Sequence, residues 1–304
     1  MQFQSFIQSH SHVSFHEKTN ERPSALVSGY MTDAATCVCG CRKKKKKREK
    51  KYQLHVSDCL RTSREMQQGL AIGFHVITFL QYAFAVYYDY TYTIVPHNVL
   101  KGHGAFGGKF KFLTFWDAIL QAVFFLICVL NDCFGTNAVN PKKLPFIRKL
   151  KDDLHASLGF PIAMFVGVIF WTLMFVDREL VLPKALDPYF PWWLNHLLHT
   201  LIMVTTVLEM IVAPRQYPKR SRGLGILGGF MFIYLAWVHV IYFKSGVWVY
   251  PVMEVLTLPL RIVFIVVLLV ICMILYFVGE TLNNYLWGKK CVAVTESVDL
   301  DLKT

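Results

Sequence analysis

Residues 262–278 read IVFIVVLLVICMILYFV, an unbroken run without a charged or amide side chain. At 1.5 Å per helical residue, such a run with its flanks crosses a hydrocarbon layer ~30 Å thick. Working outward from it, the same signal recurs five times: Gly69–Tyr88, Phe112–Leu130, Leu158–Val176, Trp192–Val212 and Leu224–Phe243. Each is near the ~20 residues a transmembrane helix needs, and length with few charges is the criterion rather than periodicity. The composition agrees: 54% of the 304 residues are hydrophobic and the mean hydropathy is +0.39, where soluble domains sit nearer ~45–50% apolar. Trp192, Trp193, Trp248, Tyr250 and Trp287 fall at span ends, where amphipathic rings prefer the interface. The expected fold class is therefore all-α: a polytopic membrane protein with a six-helix bundle over residues 66–288, a disordered basic tail at 1–65 and a short C-terminal tail at 289–304.

Lysine and arginine set the expected orientation. The loop after the second span carries Lys142, Lys143, Arg148, Lys149 and Lys151, and the loop after the fourth carries Arg215, Lys219, Arg220 and Arg222. The opposite loops carry only Lys101, Lys109, Lys111, Arg178, Lys184 and Lys244. With the run RKKKKKREKK at Arg42–Lys51, this bias puts both termini in the cytoplasm. In a soluble chain that run would suggest nucleic acid. Beside a membrane span it reads as attraction to anionic lipid, at ~1 kcal/mol per basic residue, or as a solvated tail, and no nucleic-acid partner is expected. The CVCGC at Cys37–Cys41 lies next to it, a setting for palmitoylation or for inert reduced thiols. Residues 1–30 hold no apolar core of a cleavable signal peptide, so the first span is expected to insert the chain. The terminal DLKT is neither a retention signal nor a prenylation box, leaving plasma membrane and endoplasmic reticulum both open. GLGILGG (Gly223–Gly229) heads a span and reads as close helix packing.

Polar side chains inside hydrocarbon need a partner or a function. The second span carries Thr114, Asp117 and Gln121, at i, i+3 and i+7 on one face; the fourth carries Asn195, His196 and His199, again within one face. Both stripes lie toward the same end of the bundle, offset by roughly 7 Å in depth at 1.5 Å per residue, so they can meet. A threonine hydroxyl facing a neutral imidazole is a nucleophile with its base, suited to attack on a carbonyl ester. Asn195 or Asp117 could orient the imidazole, and Asn195, His196 or backbone N–H groups could hold an oxyanion. The bland readings stand beside this one. An isolated membrane threonine usually bonds its own backbone, and a lone histidine is usually a structural partner. His196 and His199 form HxxH without the glutamate of a zinc-protease motif, so no metal is expected. His75 and His239 could suggest haem ligation, but each is isolated, and no cofactor is expected. Glu209 reads as a structural, paired group.

Five blocks share an order and spacing with a known family: KFKFLTFWD, DRELVLPKALDPYFPWWLNHLLHT, QYPKRSRGLG, GVWVYPVME and GETLNNYLWG. Over about Met66–Gly288 the chain resembles the family of the androgen-dependent TFPI-regulating protein and the androgen-induced gene one protein. The resemblance implies six spans, cytoplasmic ends and a threonine hydrolase that cleaves fatty acid esters of hydroxy fatty acids. It maps the nucleophile to Thr114 and the base to His199. The substrate would reach the site laterally from the bilayer, its carboxylate near Lys111, Arg178 or Lys184. An alternative is a non-enzymatic membrane regulator of coagulation-inhibitor expression; a third is a transporter or haem protein. Residues 1–65 extend beyond the resemblance and inherit nothing from it.

Overall fold

The computed structural model describes residues 66–96, 99, 106–138 and 143–301, with 289–301 by backbone alone. The chain divides after Ser63 into two units, and the described residues lie in the second, Arg64–Thr304. The polybasic run and CVCGC lie outside the described residues.

Six helices are long and apolar enough to cross a membrane: α1 (Met66–Tyr92), α2 (Leu113–Phe134), α3 (Phe146–Val176), α4 (Trp192–Val212), α5 (Arg220–Ser245) and α6 (Leu258–Gly288). The last continues as backbone helix to Asp301. The described chain is helix and loop, an all-α multi-pass membrane protein. Their faces are sorted by polarity in the sense a lipid solvent demands. On α1 the buried residues His75, Thr78, Tyr82, Ala85 and Asp89 recur at helical spacing, whereas Leu70, Ile77, Leu80, Phe84 and Tyr87 face outward. On α2 the buried stripe is Leu113, Asp117, Gln121, Phe124, Cys128 and Asn131. Helices α3 and α4 are central, and α3 packs against α2, α4 and α6. One apolar core joins α3, α5 and α6, and a second joins α1, α2 and α4.

Where glycines permit close approach, they are specific. A Cβ on Gly167 of α3 would lie 2.7 Å from the His199 carbonyl oxygen of α4, and one on Gly223 would lie 2.4 Å from the Tyr276 hydroxyl. Of the GLGILGG glycines, Gly223 and Gly228 touch α6; Gly225 and Gly229 face open space. At Gly246 the backbone turns left-handed (φ 70°) and ends α5, a conformation that favours glycine.

The third helix departs from the expected boundary. It begins at Phe146 rather than Leu158, so Arg148 and Lys151 are helical and buried instead of forming a loop. The cause is a network at this end of the bundle, the basic end. Arg148 Nε donates to Asp152 at 2.8 and 2.9 Å, and its Nη2 donates to the Pro214 carbonyl. Glu209 lies 3.5 Å from Lys151 Nζ, 3.3 Å from Arg215 Nη2 and 2.7 Å from His75 Nε2, while His75 Nδ1 meets Asp132 at 2.5 Å. Three of the cations used to orient the chain are thus internal. Lys143, Lys149, Lys219, Arg220 and Arg222 remain on the surface of that end. Glu209 is paired, as its sequence context suggests.

Removing one partner from a buried ion pair strands the others. Glu209→Gln leaves Lys151 and Arg215 against a neutral amide and should destabilise the bundle by about 3–5 kcal/mol. A thermal melt in detergent followed by tryptophan fluorescence should show a clear drop in midpoint; an unchanged midpoint would remove the network from the account of stability.

Candidate active site

At the opposite end, the start of α2 and the first turns of α4 face each other. Thr114 is the second residue of α2, and its Oγ1 lies 3.2 Å from His199 Nε2. His199 sits in a π-helical turn, Leu197–Leu201, that interrupts α4. Such turns add a residue to the helical circuit and re-aim side chains, often at functional positions. Its ring stacks on Phe170 of α3 with centroids 3.6 Å apart, and its Nδ1 meets the Asn195 carbonyl oxygen at 3.0 Å.

That last contact decides the tautomer. A carbonyl oxygen can only accept, so Nδ1 carries the proton and donates. Nε2 of the neutral ring is then bare, and the Thr114 hydroxyl donates to it. A base with a fixed orientation and a hydroxyl within reach is the arrangement nucleophilic catalysis needs. Thr114 also occupies the helix start, where the Leu113 N–H goes to the Tyr250 hydroxyl and those of Phe115 and Trp116 to the Phe112 carbonyl, so that its own N–H and the positive end of the macrodipole face the site. A developing oxyanion beside Thr114 would meet both.

The other expected site residues separate. Asn195 orients His199 through its backbone carbonyl; its amide is buried, and neither amide atom has a hydrogen-bond partner. Asp117 is buried and accepts from Gln121 at 3.1 Å instead of reaching His199. His196 turns away: its Nδ1 meets Thr200 Oγ1 at 3.2 Å, and its ring stacks on Trp171. Asn195, His196 and His199 do not converge on one point: the Asn195 carbonyl meets the His199 ring, whereas His196 faces Thr200 and Trp171. The two histidines of HxxH thus face different partners, His199 the Thr114 hydroxyl and the Asn195 carbonyl, His196 the Thr200 hydroxyl.

The haem suggestion fails on position. His75 has both ring nitrogens on carboxylates at the basic end, whereas His239 is exposed, with Nδ1 2.8 Å from the Leu235 carbonyl and its ring against Trp248. Among the described residues, His75, Cys128 and Glu209 bring three metal-capable atoms within 4.8 Å of one another. Lys151 and Arg215 already supply the positive charge Glu209 faces, so the trio reads as part of the ion-pair network.

Two cavities meet at Thr114. The first is apolar and runs between α2, α3, α5 and α6, past Phe165, Met231, Val238 and Leu268. The second lies beneath residues 181–190 and includes His199, Asp89, Thr93 and Lys109. Thr114, Phe170, Val181 and Tyr250 line both.

Tyr250 is a residue the sequence reading placed only as an interfacial aromatic. Its hydroxyl accepts from the Leu113 N–H at 3.1 Å and lies 2.9 Å from the Tyr234 hydroxyl, which donates to the Lys111 carbonyl at 3.0 Å. With the Tyr234 proton committed to Lys111, the Tyr250 proton can point to Tyr234 or into the cavities. Burial pushes the Tyr250 phenol above its ordinary value, keeping it a donor. The signal available in the sequence was its position in the GVWVYPVME block, which says nothing of its partners.

A hydroxyl–imidazole pair set at the junction of two cavities, inside six membrane helices, defines a class of multi-pass membrane protein with an internal polar site. The chain belongs to the FAR-17a/AIG1-like protein family, whose model matches residues 70–284. It is 39% identical over 194 residues to the androgen-induced gene 1 protein of Homo sapiens, covering 62% of this chain and 82% of that one. It is 40% identical over 182 residues to the androgen-dependent TFPI-regulating protein of Mesocricetus auratus, covering 60% of this chain and 78% of that one. The corresponding protein of Mus musculus is 38% identical over 182 residues, with 60% and 79% covered. No solved structure matches the chain.

The tautomer is directly measurable. In ¹⁵N-histidine NMR of the protein in nanodiscs, His199 should show a protonated Nδ1 and a bare Nε2 at neutral pH. A protonated Nε2 would mean the imidazole cannot take the Thr114 proton.

Proposed function

We propose that the chain is an intramembrane threonine hydrolase that cleaves fatty acid esters of hydroxy fatty acids into a fatty acid and a hydroxy fatty acid. The observation that carries this reading is the 3.2 Å contact between Thr114 Oγ1 and His199 Nε2 where the two cavities join. An ester with two long arms needs a place for each arm and a nucleophile between them.

In this reading the acyl chain lies in the apolar cavity and the hydroxy-acid arm in the second. Thr114 Oγ1 attacks the ester carbonyl as its proton passes to His199 Nε2. The tetrahedral oxyanion is held by the Thr114 N–H, at the positive start of α2, and by the Tyr250 hydroxyl. Collapse breaks the ester C–O bond, and the departing alkoxide takes the proton from Nε2. Water then adds to the acyl-threonine, giving its proton to Nε2, and the fatty acid leaves as that proton returns to Thr114. The Asn195 carbonyl holds the imidazolium through Nδ1–H in both halves. Phe170 keeps the ring in plane with the attack.

Orientation completes the proposal. The exposed cations of the basic end face the cytoplasm, with both termini, and the site opens near the other leaflet. The plasma membrane and endoplasmic reticulum both suit it, and anionic lipid is the expected partner of Arg42–Lys51.

Thr114→Ala and His199→Ala should each lower ester turnover by about 10²–10⁴-fold, the range a positioned base supplies, with expression and melting midpoint kept near wild type. Thr114→Ser should keep measurable activity. Hydrolysis is read by mass spectrometry on purified protein in nanodiscs. Wild-type rates in both alanine variants would end the hydrolase reading and favour a regulatory role of the kind named in the androgen-dependent TFPI-regulating relatives.

A further inference from the structure

The second cavity is apolar along most of its wall, through Val95, Phe115, Leu186 and Phe190, yet one end is charged. There Lys109 Nζ donates to Asp89 Oδ1 at 2.8 Å and to Thr93 Oγ1. Thr93 in turn donates to the Asp89 carbonyl at 2.6 Å, tying the cluster to the last turn of α1. The ammonium is largely enclosed, its side chain 18% exposed. An ammonium has three donors, and Asp89 and Thr93 account for two. The third is available to a group in the cavity.

None of the cations expected to meet a lipid carboxylate, Lys111, Arg178 and Lys184, lines either cavity. Arg178 is committed to Asp187 and to the Leu182 carbonyl. Lys111 is buried with its ammonium 5.1 Å above the Phe112 ring, and Lys184 is exposed on its loop. Burial, together with the charge of Lys109 nearby, pulls the Lys111 ammonium down to about 8. That response places the two lysines within one local field, alongside the positive start of α2.

We propose that Lys109, held by Asp89 and Thr93, is a subsite for the free carboxylate of a long-chain acid or hydroxy acid lying in the second cavity. It rests on the hydrolase reading only in saying which half of an ester the cavity takes. Lys109 sets ligand choice: a free acid gains a charge-assisted hydrogen bond that its methyl ester lacks. Asp89 competes with the ligand for the same ammonium, so the pair tunes the preference as well as positioning the lysine.

The test is binding, separate from turnover. Full-length protein in neutral-lipid nanodiscs is titrated with 12-hydroxystearate and with its methyl ester by microscale thermophoresis. Wild type should bind the acid about tenfold or more tightly than the ester, as a hydrogen bond to a charged group supplies. Lys109→Met should bring the ratio near one, Lys109→Arg should keep most of it, and Asp89→Asn should raise it. Equal wild-type affinity for acid and ester overturns the subsite whether or not any variant folds. So does a ratio in Lys109→Met, or in Asp89→Asn, that matches wild type. Selective acid binding without any ester hydrolysis would leave the subsite standing and sink the hydrolase reading; hydrolysis without acid selectivity would do the reverse.

Discussion

A polar group inside hydrocarbon must be answered by another polar group, and that constraint shapes this bundle from one end to the other. Helices α1, α2 and α4 turn most of their polar residues inward, and exposed Thr172, His239 and Thr281 bond their own helix backbone. At the basic end the result is a closed set of pairs: His75 between Asp132 and Glu209, Glu209 between Lys151 and Arg215, Arg148 on Asp152. At the other end the result is a contact with chemical potential, Thr114 to His199, in which the imidazole is held by a backbone carbonyl and an aromatic face. The same rule yields a sealed ion-pair network in one place and a hydroxyl–imidazole contact in the other.

What distinguishes the two ends is access. The basic-end groups are sealed, each nearly without exposure, and their partners are protein. Thr114 stands at the meeting point of two cavities with contrasting linings, one apolar and one ending in Lys109, Asp89 and Thr93. Helix starts supply N–H groups that a helix interior cannot. Placing the hydroxyl at the first turn of α2, and the imidazole on a π turn of α4 backed by Gly167, brings Thr114 and His199 together at the cavity junction.

Much of this was legible in the sequence, for identifiable reasons. Spans in lipid announce themselves by length, so all six were found, and the inward stripes on α2 and α4 followed from helical spacing. Thr114 and His199 stood out because polar residues are costly there. The start of α3 was misplaced because Arg148, Lys151 and Asp152 look like a loop until their partners on α4 and in residues 214–216 are known. Asn195 was read through its side chain, whereas its carbonyl acts, and backbone roles leave no trace in residue identity. His196 was grouped with His199 by helical spacing, which carries no trace of its contacts with Thr200 and Trp171. Tyr250 lies far along the chain from Thr114, and Lys109, though close to Thr114 in sequence, meets Asp89 and Thr93 only through the fold.

The central claim is that Thr114 Oγ1 is the nucleophile and His199 its base. The most direct measurement is to label the purified full-length protein with a lipid-like fluorophosphonate and map the adduct by peptide mass spectrometry. The account predicts a phosphonylated Thr114 in wild type and loss of the adduct in His199→Ala. An adduct on a different side chain, or undiminished labelling of Thr114 without His199, would contradict it.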